Sequence, residues 1–234
     1  MRDSFTLVVP IFNESRLIER FWGEIKASGV LRLLDQVIFV DDGSKDQSWL
    51  MLESIALLDD RISLIRHSEN VGLGGAIHTG IMNCSTSKVL WMPVDLSYAP
   101  ADVITDLIMN RADAVVLFER TNNQGMHRSA LTFLFRLTTQ LLFKTAIHKQ
   151  SGIFLVEREQ YFKYMPITRR SLANAEFIIR LVKSETLIEY RSISCHKRSD
   201  GRSKIFSVSG ILQSFFQLLG LVLLDPSLLK RSKR

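Results

Sequence analysis

Gln36-Val37-Ile38-Phe39-Val40-Asp41-Asp42-Gly43-Ser44 is the stretch that decides the fold class. Its first five residues form an apolar run too short for a helix and rich in β-branched and aromatic side chains. That is the pattern of a strand buried on both faces of a parallel sheet. The run leads directly into two carboxylates and a Gly-Ser turn. In open α/β sheets, ligands bind beyond the carboxyl ends of the strands. Two readings of Asp41 and Asp42 follow. Either they are turn residues that lead with Gly43 into the next helix, or they form part of a site, because adjacent buried carboxylates require a metal, donors or a ligand.

The same grammar repeats on either side. Thr6–Ile11, Ile62–Arg66, Lys88–Met92 and Ala114–Phe118 read as further buried strands. Helical periodicity fills Glu14–Ala27, Gln47–Leu58, Gly74–Asn83 and Ala101–Asn110 between them. Asn13 and Asp46 are placed to cap the first two helices. Alternating strands and helices predict βαβ units and a mostly parallel sheet flanked by helices. After residue 120 the rhythm changes to a long helix at Arg128–Ile147, a strand at Gly152–Val156, a helix near Ser171–Lys183 and a strand near Leu187–Cys195. The first half reads as a nucleotide-binding sheet, and the second as the part that completes a cleft on it.

At 234 residues the chain fits one α/β domain, with 46% hydrophobic and 23% charged residues and no low-complexity tract. Residues 1–204 are read as that domain and 205–234 as a terminal helix with a basic tail. No signal peptide is read at the start, and two distant cysteines, Cys84 and Cys195, suit a reduced cytosolic setting. The net charge of +6 favours an anionic partner. The basic stretches Arg191–Lys204 and Lys230–Arg234 lack interleaved stacking aromatics, so nucleic acid is not the expected partner.

Other strand ends carry notable residues. The first ends in Pro10-Ile11-Phe12-Asn13-Glu14 and the fourth in Pro93-Val94-Asp95-Leu96-Ser97. The third leads to Asn70-Val71-Gly72-Leu73-Gly74-Gly75-Ala76, a glycine-rich turn opening a helix. Such a turn either presents N–H groups to phosphate or simply tightens a loop. It is not a dinucleotide fingerprint, because Ile77 stands where the third glycine belongs.

In this order, Pro-x-Phe-Asn-Glu, Val-Asp-Asp-Gly-Ser, Asn-x-Gly-x-Gly-x-Ala and the Asp95 turn resemble family-2 glycosyltransferases of the GT-A fold. Ser151-Gly152-Ile153-Phe154 is similar to the family's Ser-Gly-Phe segment, and Ala175-Glu176-Phe177 to its helix-borne glutamate. Arg198-Ser199-Asp200-Gly201-Arg202-Ser203-Lys204 resembles the Arg-x-x-Gly-x-Ser-Lys motif of the polyprenyl-phosphate branch, which includes dolichyl-phosphate mannose synthases. The likeness runs from about Thr6 to Lys204.

The resemblance implies roles. Pro10, Phe12, Glu14 and Asp42, with Asp41 beside it, would line the base and ribose pocket of a nucleotide-sugar donor. Gly72 and Gly74 would belong to the same donor site. Asp95 would meet the pyrophosphate through Mg²⁺ or Mn²⁺, Glu176 would sit near the acceptor, and Arg120, Arg198, Ser203 and Lys204 would face phosphate. Asp95, Glu176, Arg198 and Lys204 are the implied catalytic set. The implied reaction is inverting transfer of a sugar to a polyprenyl phosphate, whose oxygen is already ionised, so no strong base is needed. A leaving diphosphate is neutralised by a metal and by arginines.

The sequence departs from the family at two places. Pro93 replaces the first carboxylate of the usual Asp-x-Asp, and His148 stands where an acidic residue often precedes Ser-Gly. Mg²⁺ binds through one or two carboxylates plus substrate phosphate, so Asp95 alone suffices in principle. A saccharide or soluble acceptor, and a non-catalytic nucleotide-sugar-binding protein with a degraded metal site, are the rival readings. Finally, Ile205–Leu224 is apolar with a narrow stripe at Ser207, Gly210, Gln217 and Gly220, then Asp225-Pro226 and a basic tail. Three readings stand for this amphipathic helix: it lies on the cytoplasmic face of an anionic membrane, packs as a core or oligomer helix, or spans the membrane.

Overall fold

The computed structural model describes residues 4–95, 115–120, 126–144, 150–170, 172–184, 186–193 and 208–229. Seven strands form one sheet in the order β3-β2-β1-β4-β6-β5-β7. They are β1 (Phe5–Ile11), β2 (Gln36–Asp41), β3 (Ile62–Arg66), β4 (Lys88–Trp91), β5 (Val115–Arg120), β6 (Gln150–Glu157) and β7 (Ile188–Ile193). Neighbours are parallel except at β6, which runs antiparallel to both β4 and β5. The carboxyl ends of six strands and the amino end of β6 therefore share one edge.

Both faces of the sheet are covered, which explains the unbroken apolar strands. Leu7, Val9, Val37 and Phe39 point to one core with α1 (Ser15–Ala27) and α2 (Ser48–Ala56). Val8, Ile38 and Val40, one residue out of step, point to the other. That second core also takes residues of α3 (Leu73–Met82), α4 (Met126–Phe143), α5 (Arg158–Lys163), α6 (Ala173–Lys183) and α7 (Val208–Leu224). In α1 the spacing of Leu17, Ile18, Phe21, Trp22 and Ile25 places all five on the buried side.

The expected caps are partly exchanged. Asn13, at φ 54°, does not cap α1: its Oδ1 accepts from the Lys45 N–H at 2.8 Å. Asp46 serves both helices, taking the Ser48 N–H at 3.0 Å and the Ser15 N–H at 3.1 Å. The two loops are thereby laced together at the sheet edge. The helix expected at Ala101–Asn110 lies outside the described residues.

Of the three readings of the terminal helix, packing on the core is the one that its described inner side chains show. Leu218, Leu221 and, in the following 3-10 turn (Pro226–Leu229), Leu228 are buried in the second core. Residues 208–229 thus pack on the same body as the sheet rather than forming a separate segment. On its other side the described part of α7 exposes Phe216, Leu219, Leu223 and Leu224. Among the described residues, no helix is long and apolar enough to cross a membrane.

Candidate functional site at the carboxyl edge of the sheet

Four strand ends bring the predicted residues to one edge. Pro10 lies beyond the last β1–β4 pair, Val8 with Trp91, so its missing N–H leaves no gap in that ladder. Phe12 and Glu14 follow in the loop and are half-buried, with the Glu14 N–H donating to Ser48 Oγ at 3.0 Å. Asp95 sits half-buried in the turn after β4. Because β6 is antiparallel, with Trp91 opposite Phe154, its first residues Gln150, Ser151 and Gly152 lie toward this same end. Arg120 closes β5, next to Glu119, whose partner is Gln150. The backbone thus gathers Asp95, Arg120 and the Ser151-Gly152 segment. Arg198, Ser203, Lys204 and His148 lie outside the described residues.

The carboxylate doublet divides into two roles. Asp41 is fully buried, and its Oδ1 accepts the Ser44 N–H at 3.1 Å, closing the turn. Arg66 Nε lies 3.1 Å from Asp41 Oδ2 but without hydrogen-bond alignment, so this pair is ionic and Oδ2 receives no hydrogen bond. The Arg66 guanidinium also lies 5.1 Å over the Trp49 ring. Asp42 is buried too. Its Oδ1 accepts from the Val71 N–H at 2.9 Å and pairs with His67 Nδ1 at 2.8 Å, and its Oδ2 accepts from the Gly72 N–H at 2.9 Å. A carboxylate only accepts, so His67 donates from Nδ1, and its Nε2 is hydrogen-bonded to Thr79 Oγ1 at 3.0 Å. This is a His–carboxylate pair with both ring nitrogens already bonded.

These bonds correct the expectation for the glycine-rich turn. Two of its N–H groups are held by Asp42, and the Gly75 N–H donates to the Arg169 carbonyl at 2.6 Å. They are therefore not open donors for phosphate. Gly72 is required by its φ of +96°. Gly74 is required by contact: a Cβ there would meet Ala173 Cβ at 2.1 Å and the Arg169 carbonyl oxygen at 2.8 Å. Both glycines sit where the two halves of the domain meet.

Glu176, expected near an acceptor, has a full set of protein partners. It is fully buried on α6. Oε1 accepts from the Ile167 N–H at 2.7 Å and Arg180 Nε at 2.9 Å, while Oε2 accepts from the Thr168 N–H at 2.9 Å and its hydroxyl at 2.6 Å. Arg180 continues to Asp225, 2.8 Å away at the end of α7. A hydrogen bond from Ser227 and the Arg180 charge hold the Asp225 carboxyl below its usual range. Buried carboxylates so fully supplied with donors are clamps. Asp42 fixes the turn, Glu176 fixes the Pro166–Arg170 loop, and the turn and loop meet at Gly75 and Arg169.

A cleft of about 430 Å³ opens at the ends of β2 and β3, lined by Gly43, Ser44, Lys45, Arg66, His67 and Ser68. It includes none of Pro10, Phe12, Glu14 or Asp95. The predicted residues converge at the strand ends, beside this cleft rather than within it. Among the described residues, no group of three or more His, Cys, Asp or Glu could hold a metal. Asp95 is the carboxylate at the β4 end, and one carboxylate fits a cation that arrives with a phosphate-bearing ligand. Sequence reasoning missed His67, Arg66, Thr79 and Arg169. Arg66-His67 had a usable signal, since both stand at the end of β3.

Comparison with known proteins agrees with this geometry. Residues 6–162 match the family described as Glycosyl transferase family 2. The chain is 31% identical over 142 residues to a bactoprenol glucosyl transferase of Shigella phage SfV, covering 58% of this chain and 46% of that one. It thus spans about half the length of that relative. It is 25% identical over 234 residues to an undecaprenyl-phosphate 4-deoxy-4-formamido-L-arabinose transferase of Pseudomonas fluorescens, covering 94% of this chain and 65% of that protein. Among solved structures it resembles glucosyl-3-phosphoglycerate synthase from Mycobacterium tuberculosis in complex with Mn²⁺, UDP-glucose and phosphoglyceric acid. There the TM-score is 0.72 at 18% identity, covering 93% of this chain and 79% of that one. A mannosyltransferase from Pyrobaculum calidifontis in complex with GDP-mannose and Mn²⁺ gives 0.66 at 15%, covering 94% and 65%. With strand order, edge residues and the matched span in agreement, the chain belongs to glycosyl transferase family 2 and has its GT-A fold.

Proposed function

We propose that the chain transfers a sugar from a nucleoside-diphosphate sugar to a polyprenyl phosphate, with inversion, at the cytoplasmic face of a membrane. The observation that carries this reading is the 234-residue similarity to an undecaprenyl-phosphate sugar transferase, which runs through both halves of the domain. The bactoprenol glucosyl transferase supports the same acceptor class. The closed His67–Asp42 pair fits as well: a phosphate acceptor is already ionised near neutral pH and needs no imidazole to take its proton.

In this scheme Pro10, Phe12, Glu14 and Asp41 line the donor's nucleoside end, while Asp42 and Glu176 position the walls. The acceptor oxygen forms the new bond to the anomeric carbon as the bond to the diphosphate breaks on the opposite face. The diphosphate departs with the electron pair, and no net proton moves. Arg120, Arg198, Ser203 and Lys204 bind the phosphates. Asp95 would hold Mg²⁺ or Mn²⁺ brought with the donor, and that ion would supply charge neutralisation. Residues 205–234 keep the protein at the membrane surface.

Pro93 in place of a carboxylate favours a second reading, a nucleotide-sugar-binding protein without turnover. A donor screen separates them. Purified protein is given UDP- and GDP-sugars with and without polyprenyl phosphate and Mg²⁺ or Mn²⁺, and sugar-lipid is scored. Product that requires the lipid phosphate supports the proposal. Nucleotide binding without product supports the second reading, and product with a soluble acceptor alone refutes the lipid assignment.

A further inference from the structure

On the side of the sheet away from the second core, α1 and α2 form the outer layer. Each crosses from the carboxyl edge of the parallel strands β1 to β3 back to the amino edge, so the two run in the same direction. A groove of about 280 Å³ lies between them, lined by Glu19, Gly23 and Lys26 of α1 and by Met51, Ser54 and Leu58 on the α2 side. Beside it Leu50 is exposed at 63%, and Leu57 and Leu58, in the turn that ends α2, at 88% and 67%. Leu50 and Leu57 are two turns apart and share one ridge. Clustered large apolar side chains are not expected of a face that meets only water. Gly23 stands in the middle of α1, where glycine weakens a helix. It is not among the glycines of positive φ, and a Cβ there would meet nothing within 4 Å. No contact within the chain requires it. Ser54 is also small, and its hydroxyl already donates to the Leu50 carbonyl at 3.0 Å.

We propose that this layer is the contact between two copies of the chain, with α1 and α2 of each packed face to face and antiparallel about a two-fold axis at Gly23 and Ser54. A two-fold contact is self-complementary: where one residue meets a second, the second meets the first. The layer has that pattern. Glu19 and Lys26 lie at equal distances on either side of a point beside Gly23, and Leu50 and Leu58 on either side of Ser54. The groove spans residues 19–26 of one helix and 51–58 along the other, so the two centres are at one level. An antiparallel crossing then sets Glu19 against the partner's Lys26, and Leu50 against the partner's Leu57 and Leu58. The small residues fall where the helices come closest. Among the described residues neither Glu19 nor Lys26 is in an ion pair, whereas Arg20 and Glu24 pair within α1 at 3.1 Å. Charge also disfavours lipid as the occupant: from Ser48 to Asp60 there is no Lys or Arg, and Glu53, Asp59 and Asp60 would face anionic headgroups. The inference is independent of the acceptor proposed above, since α1 and α2 lie across the sheet from α7.

The test is sedimentation velocity of the full chain over a series of concentrations. The wild type is expected to form a dimer that dissociates on dilution. Leu50→Ser/Leu57→Ser should weaken it by at least about tenfold. Both side chains are exposed in the single chain, so the far-UV circular dichroism and UDP or GDP affinity of that variant should match wild type. Gly23→Gln should also weaken the dimer, although it fits the single chain and favours the helix. Charge reversal reads the register. Lys26→Glu sets like charges together and should cost about tenfold in dimer affinity. Glu19→Lys/Lys26→Glu restores opposite charges and should recover the dimer. A double variant no better than Lys26→Glu alone would overturn the antiparallel crossing. A dimer unaffected by the leucine and glycine substitutions lies on another face and overturns the proposal. So does a wild type that is monomeric throughout; flotation of that monomer with lipid vesicles, lost in Leu50→Ser/Leu57→Ser, would give the face to a membrane instead.

Discussion

The N–H of Gly75 donates to the carbonyl of Arg169 at 2.6 Å, joining the glycine-rich turn of the nucleotide-side half to the loop of the second half. Each partner is fixed by its own buried carboxylate, the turn by Asp42 and the loop by Glu176. The contact leaves no room for a methyl group. Gly74→Ala would drive a Cβ to 2.1 Å from that of Ala173, with backbone carbonyls on its other side. The expected cost is about 1–3 kcal/mol. Thermal melting should show a fall of several degrees, and an unchanged melt would mean that α3 and α6 slide apart freely.

Asp42→Ala should be a stability variant first and a binding variant second. It leaves the Val71 and Gly72 N–H groups and His67 Nδ1 without their acceptor in a buried place. Losses of this type sum to about 2–4 kcal/mol. Urea unfolding measures it directly. Wild-type stability with weakened nucleotide affinity would return Asp42 to the ligand.

Asp95→Asn tests the metal. The proposed role requires that turnover be abolished and that any gain in nucleotide affinity on adding Mn²⁺ or Mg²⁺ disappear. Calorimetry with UDP and GDP, with and without metal, reads the second effect even if no acceptor is known. An unaltered metal response in Asp95→Asn removes Asp95 from the site.

The basic motif is tested by geometry rather than charge. Arg198→Lys keeps the charge but loses the planar fork that grips phosphate in two places. A loss of about tenfold or more in transfer is expected, and likewise for Lys204→Ala. Full activity in both would make the stretch a solvated loop.

His78 gives a pH dependence with a definite sign. Burial, followed by the Arg169 charge, lowers its pKa below the ordinary value. The unfolded chain, with a pKa of about 6.5, therefore binds a proton before the folded chain does. Stability should fall as pH drops from about 7 to about 5. His78→Gln should flatten that part of the urea midpoint profile, whereas an identical slope would assign the loss to other groups.

Much of the donor half was legible because its signals are local. Gln36–Val40 is apolar at every position since both sheet faces are covered, and strand ends are marked by Asn13, Asp42 and Arg66. What failed was the destination of polar groups. Asp42, Glu176 and Gly74 have the residue types of a ligand site, yet they meet partners such as Gly72, Thr168 and Ala173, which are 30, 8 and 99 positions away in sequence. The direction of β6 was also hidden, because an apolar strand reads alike in both orientations. The outer ridge of α4 was missed since Phe133, Leu137 and Leu141 follow the same helical period as its inner residues.

The reversed direction of β6 has an architectural consequence. Because β5 leaves the sheet at the same edge where β6 enters it, the chain between Arg120 and Gln150 departs from and returns to neighbouring points. The sheet therefore tolerates a change in the length of that connection without a shift in the register of β1 to β4, which pair elsewhere.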